Sequence, residues 1–198
     1  MQSGQARSMI KIWDLLVRVF HWSLVGGFVL AYWTAENRLA ALHVLLGYAL
    51  CGLFALRIVW GFVGSRYARF SSFVFSPAET WQYVRSVREG HPKHYYGHNP
   101  AGALMVFALL AVAGGLFLTG MLTLGFIDFE GPFAGFANDV SDETSYLMHE
   151  IHEFLFDAAL VLIPLHLLGV VSGSIQHKEN LVRAMITGKK AAVEADAK

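Results

Sequence analysis

The sequence contains few charged residues and almost no cysteine. Only 15% of its 198 residues are charged, against about a quarter in a soluble domain, so too little polar surface exists to cover a water-soluble globule. The formal net charge is zero, and we expect no nucleic-acid partner. The single cysteine, Cys51, allows neither an intrachain disulfide nor a Cys-x-x-Cys-His attachment of a c-type haem. We expect no cleavable signal peptide.

Long apolar runs are what the sequence has instead. Its hydrophobic fraction is 55% and its mean hydropathy is +0.46. About 20 apolar residues cross the roughly 30 Å hydrocarbon layer of a bilayer. Four runs of this length predict an all-α integral membrane four-helix bundle in one membrane domain, 1–198. The predicted spans are residues 12–33, 39–63, 101–126 and 146–174.

Two polar segments separate these spans. Residues 64–100 follow the second span, and within them Ser76, Pro77 and Glu79 are typical of a capped helix start. We expect an amphipathic helix from Pro77 to Glu89, lying on the membrane surface. Residues 127–145 form an acidic loop before the fourth span.

The basic residues predict the orientation. With four spans, both termini and the 64–100 segment share one side, and 14 of the 15 Lys and Arg residues fall there. Only Arg38 falls on the other side. The positive-inside rule therefore places both termini and residues 64–100 in the cytoplasm, and the 127–145 loop on the outer, periplasmic side. Acidic residues collect on that outer side.

Four histidines lie inside the spans, where ionisable residues are costly and usually functional. Histidine is a common axial ligand of b-type haem iron. His152 and His166 are fourteen residues apart, which is about 40° short of four helical turns and about 21 Å along the axis. One helix would thus carry a ligand near each membrane surface. His149 points about 100° away from that face, so His152 is the preferred outer ligand.

The depths of the histidines match in pairs. The predicted topology places His43 and His152 near the outer surface, and His21 and His166 near the inner surface. This predicts two haems stacked across the bilayer, an outer one on His43 and His152 and an inner one on His21 and His166.

Blander explanations compete with this prediction. A histidine in a membrane helix can simply hydrogen-bond to a neighbouring helix. A zinc site is a weaker alternative, because the run around His149 and His152 has the wrong spacing for a metalloprotease motif. Gly47, one turn after His43, provides either room for a haem or close helix packing. Arg57 and Arg38 are candidate partners for the anionic haem propionates at the inner and outer levels.

The chain resembles the bacterial cytochrome b561 and nickel–iron hydrogenase b-type cytochrome family over nearly its whole length. The resemblance implies a diheme cytochrome b of the inner membrane, ligated by His21, His43, His152 and His166. It also implies a respiratory role in which electrons pass between quinone and a periplasmic oxidoreductase or c-type cytochrome. The matching elements are Arg18-Val-Phe-His21-Trp22, His43-x-x-x-Gly47, Arg57-x-x-Trp60-Gly61-Phe62-x-Gly64, Gly97-His98-Asn99-Pro100-x-Gly102, and His149-Glu150-x-His152 with His166.

Three functions are compatible with these features. An electron-transfer subunit between the quinone pool and a periplasmic c-type cytochrome or hydrogenase-like enzyme is favoured, and the acidic outer loop would steer a basic partner. The alternative is a stand-alone superoxide:quinone oxidoreductase, although the same acidic surface would repel the superoxide anion. A haem-free transporter or assembly scaffold leaves the histidine pairing unexplained.

Overall fold

A computed structural model describes residues 8–192 of the chain. Arg7 and Lys198, which contributed to the orientation argument, lie outside the described residues. The helices are α1 Leu15–Glu36, α2 Ala40–Val63, α3 Pro77–Arg88, α4 Pro100–Ile127, α5 Asp142–Gln176 and α6 Leu181–Thr187. Two short strands are β1 Met9–Lys11 and β2 Lys189–Ala191, and two 3₁₀ turns cover Phe70–Ser72 and Ala134–Asp139.

Helices α1, α2, α4 and α5 are long and apolar enough to cross a membrane, which confirms the expected all-α membrane bundle. Their ends differ somewhat from the predicted spans. Helix α1 begins at Leu15, because the backbone N–H groups of Ile12 and Trp13 both donate to the Gly188 carbonyl, at 2.8 and 3.1 Å. Helix α5 begins at Asp142, one turn before the predicted residue 146.

The four long helices expose apolar side chains over most of their surface. Phe62 is 70% exposed and Phe154 is 69% exposed. Little of each helix is covered by the rest of the chain. Burying apolar surface is the main favourable contribution to folding, and lipid tails provide that cover for a helix apolar on all sides.

Polar side chains cap several helices, including α1, α3 and α4. The Asp14 carboxylate accepts a hydrogen bond from the Val17 N–H at 2.9 Å and so caps the start of α1. Ser76 and Glu79 form a reciprocal capping box on α3, as the sequence predicted. The Asn99 side chain accepts a backbone N–H at 2.7 Å in the first turn of α4.

The described residues divide into two compact units. The first contains the stretch up to Trp22, Arg57–Ala103, and the stretch from Leu168 onwards. In it β1 and β2 pair antiparallel, with Ile10 opposite Lys190. Its core is formed by Ile12, Trp13, Val17, Ala68 and Ala184. Neither the strand pair nor α6 was predicted from the sequence.

The second unit contains Ser23–Leu56 and Leu104–Leu167, which are segments of α1, α2, α4 and α5. Phe156 stacks on Phe28 and Tyr32, with ring centroids 5.7 and 5.2 Å apart. Gly115 approaches Leu155 so closely that an added Cβ would lie 2.8 Å from a leucine methyl. Gly115 therefore serves close helix packing.

Candidate functional site

Two of the predicted ligands, His43 on α2 and His152 on α5, lie side by side in the second unit. Their ring centroids are 6.4 Å apart and their planes meet at 85°. A metal–imidazole bond is about 2.0 Å long, and a ring nitrogen lies roughly 1 Å from the ring centre, so two imidazoles on one metal have centres about 6 Å apart. The separation of His43 and His152 therefore fits one iron between them.

Each of these two rings is held by a backbone carbonyl of a neighbouring helix. His43 Nδ1 lies 2.9 Å from the Ala31 carbonyl of α1, and His152 Nδ1 lies 3.0 Å from the Leu116 carbonyl of α4. A carbonyl oxygen can only accept, so Nδ1 carries the proton in both rings. The Nε2 lone pairs are left for a metal, and the Nδ1–H bond to a carbonyl is the usual second contact of a metal-bound histidine.

Glycines shape the space around the pair. A Cβ added to Gly47 would have no atom of the described chain within 4 Å, so this face of α2 borders open space one turn from His43. A Cβ added to Gly120 would lie 3.1 Å from His152 Cε1. Gly120 therefore lets the His152 ring lie directly against α4, and Gly47 leaves room beside His43. These residues fit a bound haem.

The other two predicted ligands fall in different units. His21 belongs to the first unit, where its ring meets Trp22 edge-on at 5.0 Å. His166 belongs to the second unit, on α5, and is partly buried. His149 is largely exposed, and its ring lies 3.5 Å from the Glu153 carboxylate.

Arg57 is buried in the first unit, with 4% of its surface exposed. Its Nη2 donates to the Ala68 carbonyl at 3.2 Å, and the guanidinium lies 4.9 Å from the centre of the Phe70 ring. Within the described chain, Nη1 has no hydrogen-bond partner. A buried, unsatisfied guanidinium N–H is costly, and an anionic acceptor such as a carboxylate would satisfy it.

Asp14 is a polar residue that the sequence reasoning missed. Besides capping α1, its carboxylate accepts hydrogen bonds from Trp60 Nε1–H at 2.8 Å and from the Ser65 hydroxyl. It also interacts electrostatically with Arg57. The carboxylate thus ties the start of α1 to the end of α2. The position of Asp14 immediately before an apolar run could have indicated this role, because helix caps occur at such positions.

Arg38, the predicted outer propionate partner, is exposed in the turn between α1 and α2. Its φ of 56° is left-handed, and the Leu39 N–H donates to the Thr34 carbonyl at 2.9 Å. This is the pattern of a Schellman helix end.

Across residues 8–192, no three His, Cys, Asp or Glu side chains come together as a metal-ion site. Two histidines suffice for haem iron, because the porphyrin supplies the remaining ligands.

Four helices that can cross a membrane, with two histidines disposed for one iron, define a membrane b-type cytochrome. A family model described as prokaryotic cytochrome b561 matches residues 12–188, and the chain belongs to this family.

Curated relatives of the chain carry the name "Probable Ni/Fe-hydrogenase B-type cytochrome subunit". The protein of Rhodobacter capsulatus is 24% identical, over 96% of this chain and 84% of the relative. That of Bradyrhizobium diazoefficiens is 26% identical, over 75% of this chain and 64% of the relative, so the chain spans slightly under two thirds of this protein. That of Azotobacter vinelandii is 39% identical, over 39% of this chain and 35% of the relative. No solved structure matches the chain significantly.

Proposed function

We propose that this chain binds two haem b groups and carries electrons between the quinone pool and a redox protein at the periplasmic face of a bacterial inner membrane. The observation that carries the proposal is the His43–His152 pair, with rings 6.4 Å apart and each Nδ1 on a backbone carbonyl. This arrangement supports an outer haem ligated by both Nε2 atoms.

The inner haem rests on the helical spacing of α5. His166 follows His152 by fourteen residues, which returns it to nearly the same helix face about 21 Å away. We assign His21 as its partner from the matching depth in the predicted topology. The buried Nη1 of Arg57 supports a propionate partner at this level, where Arg57 is placed by the same topology.

The chain's own residues define the type of chemistry. When bound, haem b supplies a one-electron redox couple, and two histidine ligands close its iron to oxygen. His43 and His152 would hold and orient the iron through rings that are anchored on backbone carbonyls. The site thus favours electron transfer over oxygen binding.

The partner is inferred from charge and from the names of the relatives. Seven acidic residues in and beside the proposed outer loop are exposed, namely Asp128, Glu130, Asp139, Asp142, Glu143, Glu150 and Glu153. Such a surface steers a basic protein toward the outer haem. The names of the relatives favour a hydrogenase-like enzyme as the partner. A c-type cytochrome would likewise need a basic surface to dock on this acidic loop.

The first test counts haem per chain by the pyridine haemochrome assay. We expect two haem b in the wild type and about one in His43→Ala and in His21→Ala, because each variant removes one ligand of one pair. His149→Ala is the matched control, since it removes an exposed histidine one turn from His152 and should keep both haems. Haem content unaffected by His43→Ala would refute the ligand assignment.

The second test separates the electron-transfer function from the superoxide alternative. The reduced, purified protein is mixed with a short-chain quinone, and the oxidised protein with a superoxide pulse, and the haem spectrum is followed. We expect rapid oxidation by the quinone. Fast reduction by superoxide would favour the stand-alone oxidoreductase, and failure to react with the quinone would exclude the proposed role.

A further inference from the structure

His43 and His152 each donate to a backbone carbonyl, and a buried threonine lies close to each of these two carbonyls. Thr34 is 1% exposed and Thr119 is 7% exposed. Each lies three residues after the carbonyl in question, Thr34 after Ala31 and Thr119 after Leu116. A threonine at this distance can reach back to that carbonyl within a helix. Both hydroxyls reach that carbonyl, at 2.8 Å for Thr34 and at 3.3 Å for Thr119, but within residues 8–192 only Thr119 makes further hydrogen bonds.

The Thr34 hydroxyl competes with His43. It donates to the Ala31 carbonyl at 2.8 Å, and His43 Nδ1–H donates to the same oxygen at 2.9 Å. A carbonyl oxygen has two lone pairs, and a second donor draws electron density away from the first bond. Thr34 therefore weakens the hydrogen bond of the His43 Nδ1–H.

The Thr119 hydroxyl assists His152 instead. It donates mainly to the Gly115 carbonyl at 2.8 Å and lies 3.3 Å from the Leu116 carbonyl. Its competition with His152 for the Leu116 oxygen is therefore weak. Its oxygen lies 3.1 Å from His152 Nδ1, whose proton is already directed toward the Leu116 carbonyl at 3.0 Å. The histidine N–H is thus shared in a three-centre hydrogen bond, and Thr119 adds an acceptor to it.

We propose that Thr34 and Thr119 are positioning residues that set the ligand strength of His43 and His152 in opposite directions. The proposal rests on the proposed haem ligation by this pair. A stronger Nδ1–H bond makes the imidazole more basic and stabilises the ferric iron, which lowers the reduction potential. Thr34 would therefore raise the potential of the outer haem, and Thr119 would lower it.

The experiment measures the midpoint potential of the outer haem by redox titration of its absorbance, in the wild type and in a His21→Ala background. We expect Thr34→Val to lower the potential and Thr119→Val to raise it. Each change should correspond to a roughly threefold to tenfold change in the equilibrium constant of reduction, which is about 30–60 mV at 59 mV per decade for one electron.

Three controls accompany these variants. Thr34→Ser and Thr119→Ser keep the hydroxyl and should keep the wild-type potential. Ser174→Ala removes a hydroxyl that donates to a helix carbonyl at 2.7 Å in the other unit, and it should leave the potential unchanged. Alanine replaces valine at either position if the valine variant does not retain haem.

The outcomes distinguish this proposal from the ligand assignment on which it rests. The tuning role would be overturned if both valine variants shifted the midpoint potential in the same direction. It would also be overturned if the equilibrium constant of reduction changed by less than roughly 1.5-fold while haem content stayed intact. Either result would leave the ligand assignment in place. Haem content unaffected by His43→Ala would overturn the ligation itself. A purely structural role for the threonines would lower thermal stability without opposite potential shifts.

Discussion

Replacing Asp14 with alanine is the sharpest test of how the first unit is held together. The substitution removes the cap of α1, since the carboxylate accepts the Val17 N–H at 2.9 Å, and such a cap is worth about 1 kcal/mol. It also removes the acceptor of Trp60 Nε1 at 2.8 Å, and a hydrogen bond to a charged group contributes about 1.5–3 kcal/mol. The exposed Ser65 contact adds little.

Together these losses predict a destabilisation of about 3 kcal/mol. At about 2–4 °C per kcal/mol for a chain of this size, the unfolding midpoint in detergent should fall by about 6–12 °C. Asp14→Asn keeps one oxygen for the Val17 N–H, so its unfolding midpoint should fall by about two thirds as much. Tryptophan fluorescence during heating gives the midpoint directly and also reports on Trp60.

The control is Asp128→Ala, which removes a carboxylate that is exposed, and its midpoint should stay within about 1 °C of the wild type. An Asp14→Ala midpoint equal to that of Asp128→Ala would refute the reasoning. It would mean that the Trp60 and cap bonds have negligible net strength in the folded protein.

Three further substitutions give independent predictions. Gly61→Ala should destabilise the chain by about 1–3 kcal/mol by thermal melting, because the new Cβ would lie 2.1 Å from the Phe70 ring. Arg38→Gly should stabilise it by up to about 1 kcal/mol, because Arg38 adopts a φ of 56°. Glu179→Gln should destabilise the chain by about 2–4 kcal/mol at neutral pH, because it leaves a buried charge without its partner. The Glu179 carboxylate lies 3.1 Å from the ammonium group of Lys190, and the Lys190 side chain is only 6% exposed.

The Glu179 prediction carries a definite pH dependence. Burial raises the pKa of the Glu179 carboxyl, but the hydrogen bond from His94 and the charge of Lys190 outweigh it and hold the pKa below its usual value. A lowered folded-state pKa adds stability above the unfolded pKa, and this stability is lost as the pH falls through the folded value. The gap in melting temperature between wild type and Glu179→Gln should therefore persist at neutral pH and close in acid.

Each of these substitutions has a result that would count against it. Gly135→Ala is the control for Gly61→Ala, because a Cβ at Gly135 has open space around it, and equal melting of the two variants would refute the predicted clash. A lower melting temperature for Arg38→Gly would show that the arginine side chain stabilises the turn. A pH-independent gap for Glu179→Gln would contradict its assigned ionic role.

The sequence by itself determined the features that depend on neighbours along the chain. Hydropathy identified the four long helices, because crossing lipid requires a continuous apolar run. The capping box of Ser76 and Glu79 could be predicted because its two partners are three residues apart in the sequence. The prediction that His152 and His166 share a helix face likewise uses helix geometry alone.

Only the tertiary structure decided which groups surround the histidines. The carbonyls of Ala31 and Leu116 accept from His43 and His152, and every residue carries such a carbonyl, so no sequence pattern distinguishes these two. The bond from Trp60 to Asp14 joins residues 46 positions apart, and β1 pairs with β2 across nearly the whole chain. Contacts between distant residues depend on how the elements pack, which local periodicity does not encode.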